Sequence, residues 1–468
     1  MIRARYLGTG FFILALLGSL FFTPHSISGQ GIGERAIAGQ YIVVFNDFVT
    51  DPEAVEQEIV SSVRGERLNS YRSVISGFTA RFSESELATV QHDPRVAFVS
   101  EDREVAIADS RAAGINFRDS IRQAFRSDGV STESTRFDRF PQNPPLFSPA
   151  ASEQPSSQAV AAATQTLPTG IDRIDAEGLT NTGIGVDVAV IDTGILASHP
   201  DLLGKVVGGI NCTRASGGFT DQNGHGTHVA GTIAALSDSK GVVGVAPGAK
   251  LWSVRVLDRN GYGTWSSVIC GLDFVTARAP KNGGSIKVAN LSLGGSGSND
   301  NNCGNNNRDA LHKAICRARD AGVTVVVAAG NSGANATGFV PAAYDDAVIT
   351  VSALVDTDGK PGGIGSGTSY GADDTFASFS NWGTPVDIGA PGVSIYSTWI
   401  GYGYKSISGT SMASPHVAGA AALYLAKNPL AVWTQVKNAL INAGESLDAG
   451  HTDPSGKHPE KVLSASAL

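Results

Sequence analysis

The stretch VTVVVAAGN, residues 323–331, runs apolar from Val325 to Ala329 and closes on Gly330 and Asn331. A strand with one wet face alternates apolar and polar residues; this one does not, so both its faces are buried. The same holds for VDVAVID (186–192), KLWSVRVLD (250–258), IKVANLSLGG (286–295) and DAVITVSAL (346–354). Helical patterns lie between them: HGTHVAGTIAAL (225–236), TWSSVICGLDFVTARA (264–279) and DALHKAICRARDAG (309–322). Doubly buried strands alternating with helices predict an α/β fold, a doubly wound parallel sheet with helices on both faces. On such a sheet, ligands bind outside the carboxyl ends of the strands.

Polar residues gather at those ends. Asp192 closes VAVID, His225 opens a helix in NGHGTHVAGT, Asn331 closes VVVAAGN, and Ser411 stands at the start of an Ala-rich helical run in GTSMASPHVAG (409–419). Each alone has a bland reading as a turn residue, a structural histidine or a helix cap. Together they supply what acyl transfer needs. A serine hydroxyl is a weak nucleophile at neutral pH, so it requires an imidazole to take its proton and a carboxylate to hold that imidazole's tautomer. The developing oxyanion requires preset donors, which the Asn331 amide and the Ser411 backbone N–H at a helix N-terminus provide. Two other hydrolase chemistries lack their residues. His225-Gly226-Thr227-His228 is not an H-E-x-x-H zinc motif, and Gly409-Thr410-Ser411-Met412-Ala413 lacks the second glycine of G-x-S-x-G. A non-catalytic binding protein on the same scaffold would be free to lose one of these residues, and none is missing.

The blocks VAVIDTGI, NGHGTHVAGT, VVVAAGN and GTSMASPHVAG resemble the signature blocks of the subtilisin-like serine protease family, from about Gln165 to the C-terminus. The resemblance implies Asp192 as orienting acid, His225 as general base, Ser411 as nucleophile and Asn331 as oxyanion donor. It makes His199, His228 and His416 structural neighbours of their motifs. Ser292, Leu293, Gly294 and Gly295 match the family strand that pairs with substrate backbone, and Ala328 and Gly330 border the P1 pocket. With Phe339 and small residues nearby, a broad apolar P1 preference is expected. The resemblance also implies a structural calcium ion and no catalytic cofactor. The ion's ligands would be the Gln165 and Asp238 side chains, Asp201 bidentate, and the carbonyls of Leu236, Lys240 and Val242. Asp238 stands where the family often has Asn.

Upstream, residues 36–107 carry the order β-α-β-β-α-β: QYIVVFND, DPEAVEQEIVSSV, two short strands around Gly65 and Gly77, ESELATVQHDP and RVAFVSED. That is a small α+β split βαβ domain with nothing catalytic in it. It resembles the family's propeptide, an intramolecular chaperone and inhibitor, and makes the chain a zymogen. Residues 108–163 shift to Ser, Arg, Ala, Pro and Gln without periodicity and read as a disordered linker, leaving 164–468 as the catalytic domain. The mature chain is expected to start near Thr164, either directly or by trimming after an early cut near Ala108.

Residues 1–28 have Arg3 and Arg5 followed by a mostly apolar run from Tyr6 to Phe22, the pattern of a secretory signal peptide cleaved close to Ser28. The expectation is a secreted protein with no stable membrane association after cleavage. Export places Cys212, Cys270, Cys303 and Cys316 in an oxidising compartment, where three full pairings are possible. Cys303 and Cys316 flank a short Asn-rich loop and are expected to pair; Cys270 reads as a small core residue. A net charge of −8 with scattered basic residues argues against nucleic acid as a partner. The expected partners are protein and peptide substrates and the chain's own propeptide, with the enzyme a monomer.

Overall fold

The computed structural model describes residues 35–63, 65–107 and 164–468; the expected signal peptide and linker lie outside them. The first unit runs β1 (Ala36–Phe45), α1 (Pro52–Val63), β2 (Glu66–Tyr71), β3 (Gly77–Arg81), α2 (Glu84–Gln91) and β4 (Val96–Ile107), in the expected order. Its antiparallel sheet has the order β4-β1-β3-β2. Val43, Phe45, Phe78, Ala80 and Phe82 are buried with Ile59, Val63 and Val90 of the two helices. A capping box sets the start of α2, Ser83 and Glu86 each bonding the other's backbone amide.

The second unit begins with a short helix, α3 (Thr169–Arg173), and then β5 (Asp187–Asp192), β6 (Val206–Asn211), α4 (His225–Ala234), β7 (Lys250–Arg255) and β8 (Tyr262–Thr264). It continues through α5 (Trp265–Thr276), β9 (Ile286–Leu291), β10 (Leu293–Ser296), α6 (Ala310–Asp320), β11 (Thr324–Ala328) and β12 (Phe339–Val340). The last part is β13 (Ile349–Leu354), β14 (Ile388–Pro391), β15 (Ile395–Trp399), β16 (Gly403–Ile407), α7 (Thr410–Lys427) and α8 (Trp433–Ala443). Seven strands form one parallel sheet in the order β14-β13-β11-β9-β5-β7-β6. Successive residues of each strand feed opposite cores, the period-two rule applied to a sheet covered on both sides. Val188, Val190, Val288 and Val326 pack towards α4 and α7, whereas Ala189, Ile191, Ala289, Val325 and Val327 pack towards α5 and α6. Each such valine or isoleucine, fully buried, contributes about 1.5–3 kcal/mol, which is why these strands tolerate no polar alternation.

Strand order reverses at β5, whose neighbours are β7 on one side and β9 on the other. The crevice expected at such a switch point therefore opens beyond Asp192 and Leu291.

Four features differ from the sequence reading. The run 286–295 is two strands, broken at Ser292, because β10 leaves the main sheet to pair with β12 and β4. The edge strands β6 and β14, VVGGIN and IGAP, carry little apolar signal and gave no expectation. Strand β4 does not stop at Asp102 but runs to Ile107, because its end finds partners in the second unit. Finally, Cys270 is not a lone core residue. It is bonded to Cys212, across 58 residues, beside the expected Cys303–Cys316 bridge. Among the described residues no helix is long and apolar enough to cross a membrane.

Candidate active site

Asp192 ends β5 fully buried, and its Oδ1 accepts the Thr193 amide at 2.7 Å. His225 is the first residue of α4, and its Nδ1 donates to Asp192 Oδ1 and Oδ2 at 2.8 and 3.0 Å. Two glycines permit this approach. Gly224 has φ +112° and a Cβ there would lie 2.3 Å from Trp399; a Cβ on Gly226 would lie 2.2 Å from the Gly194 carbonyl. The turn itself is held by Asp221, a residue that sequence reasoning passed over. Its carboxylate accepts from Thr193 Oγ1, the amides of Asn223, Gly224 and Thr227, and Thr227 Oγ1, at 2.6–3.0 Å. Its only sequence signal is an Asp–x–Asn–Gly turn before a helix.

Ser411 lies in the first turn of α7, where amide hydrogens point outward and the helix dipole favours negative charge. Pro415, inside that helix, has no N–H, so the Ser411 carbonyl loses its intrahelical donor. The Ser292 hydroxyl replaces it at 2.9 Å, while Ser411 Oγ donates to the Ser292 carbonyl at 3.1 Å. Asn290 carries the link inward, donating to Ser292 Oγ and accepting from Ser414 Oγ. Thus the break between β9 and β10 is bonded to the turn that bears Ser411.

Asn331 follows β11. Its Oδ1 accepts both the Thr410 amide and the Thr410 hydroxyl at 2.9 Å, and Thr410 Oγ1 in turn accepts the Gly330 amide at 3.1 Å. These bonds settle which end of the amide is oxygen. They leave Asn331 Nδ2 as a buried donor with no partner among the described residues.

The three neighbouring histidines are structural, as expected. Burial drives the His228 pKa down to about 3, and its Nε2 donates to the Ile395 and Lys405 carbonyls of the β15–β16 hairpin. Burial drives His416 down to about 4, its Nδ1 facing the Met412 carbonyl. His199 accepts the Asp201 amide at Nδ1 and faces the Gly403 carbonyl through Nε2.

The cleft holds a peptide already. Leu293 and Gly294 of β10 pair with Ile107 and Ala106 of β4, and on the other side β8 pairs Tyr262, Gly263 and Thr264 with Ala106, Val105 and Glu104. The Ile107 amide donates to the Gly261 carbonyl at 3.1 Å. Buried Asp102 anchors the base of this strand by accepting the Ser266 amide at the start of α5. Asp273, on the same helix, accepts the amides of Arg72, Ser73 and Val74. Gly295, also in β10, pairs with Val340 of β12 on the other edge of that strand. Ala328 ends β11 buried, and Gly330 follows it with φ +103°.

The profile of the Subtilase family matches residues 183–457, and that of Peptidase inhibitor I9 matches residues 40–108. The chain belongs to the subtilase family. Subtilisin DY of Bacillus licheniformis is 44% identical over 293 residues, 60% of this chain and 93% of its own. The Extracellular serine proteinase of Thermus sp. (strain Rt41A) is 35% identical over 437 residues, 87% of this chain and 85% of its own, and so extends across both units. A crystal structure of a cold adapted subtilisin-like serine proteinase matches with a TM-score of 0.52 at 38% identity, covering 66% of this chain and 100% of that one. This subtilase is therefore a subtilisin-like serine protease with an I9 propeptide domain, which implies protein substrates and an intramolecular inhibitor.

Elsewhere on the subtilase, the residues expected to hold calcium do come together. The carbonyls of Leu236, Lys240 and Val242 converge on the Gln165 amide nitrogen at 2.7, 2.9 and 3.1 Å. Asp201 is 2% exposed and accepts from the Val242 amide and Tyr404 hydroxyl. Burial, with a smaller contribution from the Asp238 charge, raises its pKa. Three carbonyls aimed at one point beside two carboxylates suit a hard cation, and rotating the Gln165 amide would add its oxygen to the set.

Proposed function

We propose that this subtilase is a secreted serine endopeptidase, made as a zymogen that processes itself, with Asp192, His225 and Ser411 as its triad. The observation that carries the reading is the strand 104–107 bonded between β8 and β10, the latter following Ser292, which is bonded to Ser411. Strand β4 ends on Ile107 opposite Leu293, the neighbour of Ser292, whose carbonyl accepts from Ser411. The mature chain then starts near Thr164, reached directly or by trimming after an early cut near Ala108.

In this mechanism the Ser411 hydroxyl attacks the scissile carbonyl while His225 Nε2 takes its proton and Asp192 keeps the proton on Nδ1. The Asn331 amide and the Ser411 N–H hold the oxyanion of the tetrahedral intermediate. His225 gives its proton to the leaving amine, and water then releases the acyl group by the same steps in reverse order. Ala328 and Gly330, beside the position the P1 side chain takes, present little bulk and suit a broad apolar preference. A fluorophosphonate or sulfonyl fluoride applied to the active protein is expected to leave its adduct on Ser411, located by mass spectrometry. An adduct elsewhere, or none on active material, sinks the assignment.

Gln165, Asp201, Asp238 and the carbonyls of Leu236, Lys240 and Val242 would hold a structural calcium ion that stabilises the folded form by mass action. At a hundredfold excess over its dissociation constant an ion contributes about 2.7 kcal/mol, worth roughly 4 °C in a domain of about 300 residues. Chelation is expected to lower the melting temperature of the processed enzyme, and Gln165→Ala to shrink that loss. Unchanged melting and autolysis rate in EDTA would mean that no ion is bound.

A further inference from the structure

Between β13 and β14 the chain makes a long glycine-rich loop, residues 356–374, whose two ends are pinned together. The Val355 amide donates to the Thr375 carbonyl and the Asp374 amide to the Val355 carbonyl. Inside this loop Asp356, Asp358 and Asp373 each bring a carboxylate oxygen within 4.8 Å of those of the other two. Asp356 and Asp373 are only 2% and 4% exposed, a costly place for uncompensated charge. Asp373 is well supplied, accepting from the amides of Thr357 and Gly365 and from Thr357 Oγ1. Asp356 is not. Its Oδ1 accepts the Gly359 amide, but its Oδ2 is buried with no hydrogen-bond partner among the described residues.

The Arg173 charge reaches Asp356 without forming an ion pair with it. Arg173, the nearby cation, is committed to Asp374 at 2.6 Å and to Glu445 at 3.0 Å, and among the described residues no ion pair reaches Asp356, Asp358 or Asp373. A further carboxylate, Asp172, stands close behind. Gly359 has φ +77°, and a Cβ there would lie 2.7 Å from Asp172 Oδ2. Buried carboxylate oxygens in excess, one of them without a hydrogen bond and none of them ion-paired among the described residues, suit a hard divalent ion.

We propose that Asp356, Asp358 and Asp373 bind a calcium ion, separate from the one assigned to Gln165 and Asp201. The all-oxygen set and the pliant glycine-rich backbone suit calcium, which takes six to eight oxygens in adaptable geometry, better than magnesium with its strict octahedron. The ion would brace a junction of distant parts of the chain. The loop bonds Gly450 through the Gly362 amide, Asp374 accepts the Thr452 amide through its carbonyl, and Arg173 ties helix α3 to both.

The test is calcium stoichiometry, measured by equilibrium dialysis and atomic emission on the full chain carrying Ser411→Ala, which excludes autolysis and needs no activity. Asp356→Asn is expected to lose one calcium per chain that Gln165→Ala retains, and Gln165→Ala to lose the other. Asp358 is partly exposed, so Asp358→Ala serves if Asp356→Asn does not fold. It should weaken one class of site at least about tenfold while leaving melting in chelator unchanged. Asp356→Asn and Asp358→Ala chains that bind calcium in the same number and with the same affinity as their parent would overturn the proposal, whatever the outcome at Gln165.

Discussion

Ser411→Ala is expected to abolish peptide hydrolysis and to accumulate as the unprocessed precursor. The loss of kcat should be about 10⁶-fold, a size taken from subtilisin itself rather than worked out from these distances. The fold should survive. The hydroxyl bonds the Ser292 carbonyl at a position packed among small residues, and a bond of that kind is worth about 1 kcal/mol. Processing should fail because the peptide to be cut already lies against β8 and β10, so that the same serine serves both substrate and propeptide. N-terminal sequencing of wild type and variant checks both halves. Wild type should start near Thr164, and the variant should keep the residues upstream of it. A stable active form that retains residues 109–163 would reject the Thr164 start. Normal processing of the variant in a host without other proteases would reject self-cleavage.

Asn331→Ala should lower kcat by two to three decades with KM little changed, again the loss known for this donor in subtilisin and carried over to this chain. The structure explains why the effect should fall on kcat. Thr410 holds the amide oxygen with two bonds, so Nδ2 is aimed before substrate arrives and pays no reorganisation when charge develops. The donor is buried with no partner among the described residues, a state that costs about 1–3 kcal/mol and that, in the proposed mechanism, the oxyanion relieves. A neutral ground-state carbonyl gains less from it, hence a small effect on KM. Steady-state kinetics on one peptide substrate decide the matter. A near-normal kcat would leave Asn331 as a turn residue only.

Much of this architecture is legible in the chain itself, for reasons of periodicity. A strand buried on both faces cannot alternate, so residues 186–192, 323–331 and 346–354 announce a covered parallel sheet without reference to anything distant. The polar residues that interrupt such runs at their carboxyl ends stand out against them, and Asp192 and Asn331 were readable on that account. His225 and Ser411 were readable as helix openings with unusual chemistry, and Gln165, Asp201 and Asp238 through family resemblance.

What the sequence could not supply was every relation that depends on two segments meeting. The extension of β4 to Ile107 exists only because β8 and β10, more than 150 residues later, leave a slot between them. Cys270 sits in an apolar helix pattern, and nothing local distinguishes a packed thiol from one facing Cys212. Ser292 looks like a strand residue until Pro415 leaves the Ser411 carbonyl without a donor 119 residues away. Asp356, Asp358 and Asp373 gave no expectation, because their convergence and the burial of Asp356 are properties of packing rather than of composition. Local pattern determined which residues enter strands and helices, since hydrophobic period is written along the chain. Only the tertiary structure decided which polar atoms lose water, and that loss is what turns a carboxylate, an amide or a hydroxyl into a site.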